Sequence, residues 1–465
     1  MFSQPPSKFY TRFGGGGYDY GYDVKQTLDR GYIITGSTSS MGQGNTDAYL
    51  VKLDSMGTRK WQSAFGSFNN ETARSVTQLA DSSYVIAGYT NSTGFGGYDF
   101  YMVAADKNGN QLWEKTYGGS DWDFGYSMKP TSDGGFILCG TTYSYGRGQA
   151  DGYVIKTDAA GVVQWTKTYG GAKDDEFKCV IQTSDGGYAL TGYTKSYADP
   201  TNGDAWVFKL NAVGDSVFSQ SVGGSYEDLF YNVIQLPSGN LLFVGSDKSQ
   251  TSGQNSEDWR YSIDASNNMV FSVYIAVTHN ERYNASVVGL NGTVVIVGYN
   301  NYVGDMSDGI IHMYTPSFMY QNWFPFGVDD HEELIAIDKT SDKGFVAIGN
   351  CSGHASLLED IFIVKIDSTG ATGTNITSTN ELAMTENVNV SLYPNPCKDI
   401  LTIEKTVRPK SSMLITDVAG NRVFSCDLLE PEHHIDLSAL ANGFYIVQIL
   451  ESGHVIKSSK ICLSN

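Results

Sequence analysis

Proline and cysteine are scarce in this chain: its 465 residues hold 11 of the first and 6 of the second, and no stretch repeats its apolar residues at helical spacing. Six thiols over such a length, none in a C-x-x-C pair, are not a disulfide framework. Cys139 and Cys179 fall inside apolar runs and read as small buried hydrophobes. The odd count of Cys397, Cys426 and Cys462 leaves at least one of them unpaired or paired elsewhere. Basic residues are also few, 31 against 50 acidic, for a formal charge of −19. Such a surface repels phosphate backbones and anionic headgroups, which excludes nucleic acid as an expected partner. No apolar run approaches the roughly 18 residues of a membrane-spanning helix. Met1 to Lys8 has neither a basic start nor an apolar core, so a secreted form of the chain implies a leader already removed from this sequence.

Catalytic signatures are missing as well. H-E-x-x-H, G-x-S-x-G and G-x-x-x-x-G-K do not occur, and Gly14 to Gly17 precede a strand pattern rather than a helix. No cofactor is expected and no catalytic residue can be named.

Glycine, with 52 copies, and tyrosine, with 30, are abundant, the composition of many short strands joined by tight turns. They recur on a fixed period. An Asp opening an apolar run stands at Asp47, Asp99, Asp151, Asp204, Asp258, Asp308 and Asp360, and a Gly closing another stands at Gly36, Gly88, Gly140, Gly192, Gly245, Gly298 and Gly349, both in steps of about 52. Each copy reads as four strands, typified by YSMKPTS, FILCGTT, DGYVIKT and VVQWTKTY with turns at Asp133-Gly134-Gly135 and Asp158 to Gly161. Asp bonds the turn's N–H groups while Gly accepts positive φ, as a three-residue hairpin with a bulge requires. Copies five and six replace the D-G-G turn with Pro237-Ser238-Gly239 and Leu290-Asn291-Gly292.

One four-stranded sheet of this size cannot bury both its faces, so seven are expected to stack around an axis as an all-β, seven-bladed propeller over residues 8–371. Its outer strands carry Trp61, Trp113, Trp165, Phe218, Phe271 and Trp323, and the seventh copy lacks an equivalent. Phe9 lies one period of 52 before Trp61, within KFYTRFGG. The ring is therefore expected to close by pairing Lys8 to Phe13 with the strand around Asp360 to Asp367.

A polar linker over 372–387 ends the period, and 388–465 reads as short alternating strands suited to a small β-sandwich. Tyr393-Pro394-Asn395-Pro396, Asp417 with Gly420, Asp436-Leu437-Ser438 with Leu440, Gly443-Phe444-Tyr445 and Lys460 stand in an order and spacing that resemble the type A sorting domain of the type IX secretion system of Bacteroidota. The resemblance implies export to the cell surface or beyond, with the type IX translocon as partner. The propeller is similar to the Y-G-G-x-x-x-D and D-G-G-Y repeats of such cargo, which carry no uniform activity.

In a propeller the loops leading into the inner strands share a face with those between second and third strands, where ligands usually sit. Asp19, Glu71, Asp123, Glu176, Asp228, Asn280 and Glu332 recur there, one per copy. Such a ring can hold a hard cation through oxygen, but a feature present in every copy more often ties backbone N–H groups within its own blade. A ligand site is expected where copies differ: Trp122, Tyr226, His279 and His331 interrupt the inner-strand loops, and Tyr143, Tyr145 and Arg147 decorate the third copy's long loop. Aromatics beside a charged donor suit a sugar ring or a peptide. The leading expectation is a non-catalytic surface binding or adhesion protein. The alternatives are a polysaccharide-active enzyme using channel carboxylates or His331, and a structural component or generic cargo of the secretion assembly.

Overall fold

Within each period the alternation of apolar and polar residues becomes four antiparallel strands in a computed structural model of the chain. Described are residues 8–369, 379–380 and 390–464, except 199–200, 250–254, 275–279, 304–305, 327–330, 354–355, 394–396, 406–410, 418–421, 429–431, 439 and 452–453. The third copy folds as Asp123–Pro130, Phe136–Thr142, Asp151–Thr157 and Val163–Tyr169, paired in that order from inside to outside. Inner strands of the other copies are Asp19–Gln26, Glu71–Gln78, Asp175–Gln182, Asp228–Gln235, Glu281–Val288 and His331–Lys339. They touch one another in cyclic order, and the seventh touches the first. The chain thus builds a closed propeller of seven blades.

Closure follows the expected route. Phe9–Phe13 lies antiparallel to Ser356–Ile366, from Phe9 opposite Lys365 to Phe13 opposite Ile361, and Lys8 meets Asp367 at 2.9 Å. Phe9 packs on Tyr32 with ring centroids 5.4 Å apart, as Trp61 packs on Tyr84 at 5.8 Å and Trp165 on Tyr188 at 6.2 Å. The outer-strand aromatic of each of these blades therefore reaches the second strand of the next. Thr379 and Asn380, inside the segment expected to be linker, add a short parallel strand beside Thr11 and Arg12.

Apolar side chains from adjacent blades share each core. One cluster joins Ile33, Leu50 and Phe65 of the first blade to Val76, Tyr84 and Tyr101 of the second, and another joins Ile348, Ile361 and Ile363 of the seventh to Val24, Tyr32 and Val51 of the first. Burial between blades makes closure cooperative, because each sheet completes its neighbour's core. Three buried lysines pin the inner turns: Lys52 reaches Asp29 at 3.0 Å, Lys156 reaches Asp133 at 2.8 Å and Lys365 reaches Asp342 at 2.9 Å. The hydrogen bond from Lys156 holds the Asp133 carboxyl down at about 2. Cys139, Cys179 and Cys397 are buried free thiols.

Every inner strand carries a bulge at one place. Pairing with the second strand skips Tyr22, Arg74, Tyr126, Lys178, Tyr231, Asn284 and Ile335. Opposite each bulge lies the repeat glycine: a Cβ on Gly36, Gly88 or Gly140 would strike the carbonyl oxygen of Tyr20, Thr72 or Phe124. The periodic glycine thus gives the bulged strand room to fold over its neighbour.

Contacts divide the chain into two compact units, Met1–Ala383 and Met384–Asn465. In the second, Val390–Tyr393, Ile400–Lys405 and Glu432–Asp436 form one sheet, while Arg422–Leu428, Ser411–Asp417, Gly443–Glu451 and His454–Leu463 form another. Leu401, Ile403, Ile415, Val447, Ile449 and Ile461 pack between them as the core of a small sandwich.

Candidate ligand-binding site

The acidic series is built into the blades. Asp19, Asp123 and Asp228 open their inner strands and are buried; their Oδ2 atoms accept from the N–H groups of Gly15, Gly119 and Gly224 at 2.8, 2.7 and 2.9 Å. The same oxygens accept from the hydroxyls of Ser40, Ser144 and Ser249 at 2.6, 2.7 and 2.7 Å. Glu71 bonds Ser67 N–H at 3.0 Å and the Thr90 hydroxyl at 2.6 Å, and Glu332 is wholly buried. Two positions need correction. Asp175, not Glu176, holds this place in the fourth blade, bonded to Gly171 N–H at 2.8 Å, and Glu281, not Asn280, opens the sixth inner strand. One residue of slip along a strand moves a side chain to the opposite face, so Glu176 instead pairs with Lys178 at 2.9 Å. Asn280 accepts from Ser256 N–H at 2.9 Å. Among the described residues no three His, Cys, Asp or Glu side chains gather where they could hold a metal.

Members of the two acidic series meet where blades adjoin. Asp99 and Asp123 both face Gly118, and burial, with a further push from the Asp123 charge, raises the Asp99 carboxyl.

The aromatic candidates divide. Trp122, half exposed, is ringed by Tyr98, Phe124 and Tyr143 at centroid distances of 6.3, 6.1 and 6.4 Å. Tyr143 also lines a cavity of 350 Å³ with Asp174, Glu176, Lys178, Tyr193 and Glu227. Tyr145 turns away, its hydroxyl donating to Gly118 O at 2.7 Å and its ring 5.6 Å from Tyr153. Arg147 lies instead beside a different hollow of 850 Å³, with Tyr169, Tyr197 and Trp206. Tyr226 is exposed, its N–H donating to Ser249 Oγ at 3.1 Å. His331 opens the seventh inner strand and accepts from Ser307 N–H at 3.4 Å. His279 lies outside the described residues.

Periodicity missed a second set. The seven bulged residues converge on the propeller axis, where with Arg282 they line a cavity of 330 Å³. Each stands three residues after the acid that opens, or nearly opens, its inner strand, from Asp19 to Tyr22 through Glu332 to Ile335. That constant offset was the signal available. Tyrosine fills three of the seven places and cations fill two. The Arg74 guanidinium carbon lies 3.8 Å from the Tyr22 ring centroid, Lys178 Nζ lies 4.2 Å from that of Tyr126, and Arg282 lies 5.0 Å from that of Tyr231.

In the second unit, Leu437 and Tyr445 are buried, and the Tyr445 hydroxyl donates to Ala441 O at 2.8 Å. Asp436 faces the Ser438 hydroxyl and accepts from Ser438 N–H at 2.9 Å, and these bonds, the hydroxyl's first, hold its carboxyl below the usual range. Asp417 pairs with Tyr445, Gly443 with Leu463, and Lys460 with Ile446. Pro394, Asn395, Pro396 and Gly420 lie outside the described residues. Residues 391–464 match the family of secretion system C-terminal sorting domains. The chain is a propeller-bearing cargo of the type IX secretion system.

The sorting domain marks this cargo for the cell surface or the extracellular space and implies an interaction with the type IX machinery. No helix among the described residues is long and apolar enough to cross a membrane. The cargo is 27% identical over 199 residues to the regulatory protein FlaEY of Caulobacter vibrioides, a match covering 37% of this chain and 21% of that protein. It thus spans about a fifth of the length of that curated relative. Among solved structures it resembles PorZ, a surface component of the type IX system of Porphyromonas gingivalis, at 14% identity and a TM-score of 0.38, covering 96% of this chain and 70% of that one. It also resembles the extracellular domain of BT4673 from B. thetaiotaomicron at 11% identity and a TM-score of 0.43, covering 97% and 59%. At such scores the propeller rests on this cargo's own strand pairing.

Proposed function

We propose that the propeller is a non-catalytic binding and adhesion platform, whose loop-bearing face holds a glycan or another surface ligand. The observation that carries this reading is the Trp122, Tyr98, Phe124 and Tyr143 cluster, an exposed aromatic group beside a polar cavity on an otherwise repeated scaffold. Aromatic rings with charged neighbours grip sugars through stacking and polar contacts at once. A panel of neutral glycans tests it, with binding and product formation read from the same samples. Saturable binding without product is expected, weakened about tenfold by Trp122→Ala, the scale of a lost aromatic contact. Turnover of any glycan, or binding indifferent to Trp122→Ala and Tyr143→Ala, overturns the proposal.

A further inference from the structure

The axial channel is lined at the one position where every blade breaks its ladder pairing. A bulged residue has no cross-strand partner, and bulges are a means of re-aiming a side chain. Two of the three cations here are neutralised within the channel: Lys178 pairs with Glu176 at 2.9 Å and Arg282 with Glu333. Arg74 is different. Its Nη2 donates to the Tyr89 hydroxyl at 3.5 Å and its guanidinium stacks on Tyr22, its Nε, like that of Arg282, has no hydrogen-bond partner, and no carboxylate pairs with it among the described residues. A chain with 50 acidic residues thus leaves one enclosed guanidinium unmatched. A partly buried cation without a counter-charge is costly, and that cost is offset when an anion arrives.

The surroundings narrow the ligand. A guanidinium presents a planar fork that fits a carboxylate through two parallel hydrogen bonds. Tyr126 and Tyr231 line the same cavity, and their hydroxyls suit a ligand bearing hydroxyls of its own. The volume of 330 Å³ is near the lower end of the ~300–1,000 Å³ of small-molecule sites, room for one sugar ring rather than a chain. We propose that the channel binds a small hydroxylated carboxylate of the size and chemistry of a hexuronic acid, with the carboxylate on Arg74 and hydroxyls on Tyr126 and Tyr231. This site adjoins the loop-face cavity, with which it shares Lys178 and Tyr231, but the contact with Arg74 does not depend on the reading given for that face.

Calorimetric titration of the full chain with D-glucuronate, D-glucose and inorganic sulfate tests the proposal. Glucuronate is expected to bind at least about tenfold more tightly than either of the others, the scale of one charge-assisted contact. Arg74→Met should erase the preference and Arg74→Lys should keep part of it, with thermal melting confirming that each variant folds. If Arg74→Met does not fold, the comparison passes to Arg74→Lys, which should weaken glucuronate more than glucose, and to Tyr126→Phe, which should weaken both sugars alike. Equal affinity for glucuronate and glucose, sulfate binding as tightly as glucuronate, no binding, or a preference unchanged in the folded Arg74 variants would each overturn it.

Discussion

Gly140 shows how a single absent methyl group sets the channel. It lies across from the bulge at Tyr126, and a Cβ there would strike the Phe124 carbonyl and crowd the Phe100 ring. Gly140→Ala should therefore cost about 2–3 kcal/mol, the scale of overpacking in a rigid interior. Gly16→Ala, where a Cβ meets nothing within 4 Å, should be nearly silent. Comparing the two melting curves checks the difference. Glu281 makes a separate case at this scale. Burial, and then the negative charge of Asp258, push its carboxyl from an ordinary 4.5 up to about 7. Below the lower value both folded and unfolded chains hold the proton. Between the two values the unfolded chain releases a proton that the fold retains, so stability is lost as pH rises through this window. Glu281→Gln should remove that slope, on the order of 3 kcal/mol between about pH 4.5 and pH 7, measured as urea midpoints of both proteins across the range.

Among the elements, Phe9–Phe13 has the most to hold. It covers the edge of Ser356–Ile366 and supplies the Phe9 ring that packs on Tyr32. Removing residues 1–13 should expose that edge and break the shared core of the first and seventh blades, giving aggregation visible by light scattering where the full chain stays monodisperse. Phe9→Ala keeps the strand but loses the ring, and should cost about 2 kcal/mol without aggregation. This strand was legible in the sequence because its aromatic obeys the period although it lies at the other end of the chain. The bulges were not, since periodicity marks which residues recur and is silent on which partner each one skips. Turn chemistry was partly hidden for a related reason. Gly134, Gly186, Gly239 and Gly292 adopt φ of 84, 84, 89 and 80°, while Arg30, Ser82 and Lys343 adopt 65, 69 and 68° at the same place. Blades five and six keep glycine at this position, so losing the aspartate of the triplet left the positive φ unchanged. In the candidate site, Glu176 was read one residue away from Asp175 because adjacent acids leave the register ambiguous, and the structure alone resolves which one faces inward.

At the scale of the molecule, two cores of different design share one chain. Propeller cores run from blade to blade, whereas the sorting core, among the described residues, draws on residues from Leu392 to Leu463. A self-contained core of this kind is expected to fold without the ring that precedes it. Residues 388–465, fused behind a signal peptide and a fluorescent protein, should therefore carry fluorescence to the surface or medium of a type IX competent host. Leu437 offers the control, because it is 1% exposed and its N–H donates to Asp399 O at 2.6 Å. Leu437→Ala should cost about 2–4 kcal/mol within a small domain, enough to unfold a large share of it. Fluorescence from that fusion should remain in the periplasm, whereas the same substitution in the full chain should leave propeller melting where it was. Periplasmic retention of the unaltered fusion would show instead that sorting needs the propeller, and that the two units are coupled in export although each buries its own core.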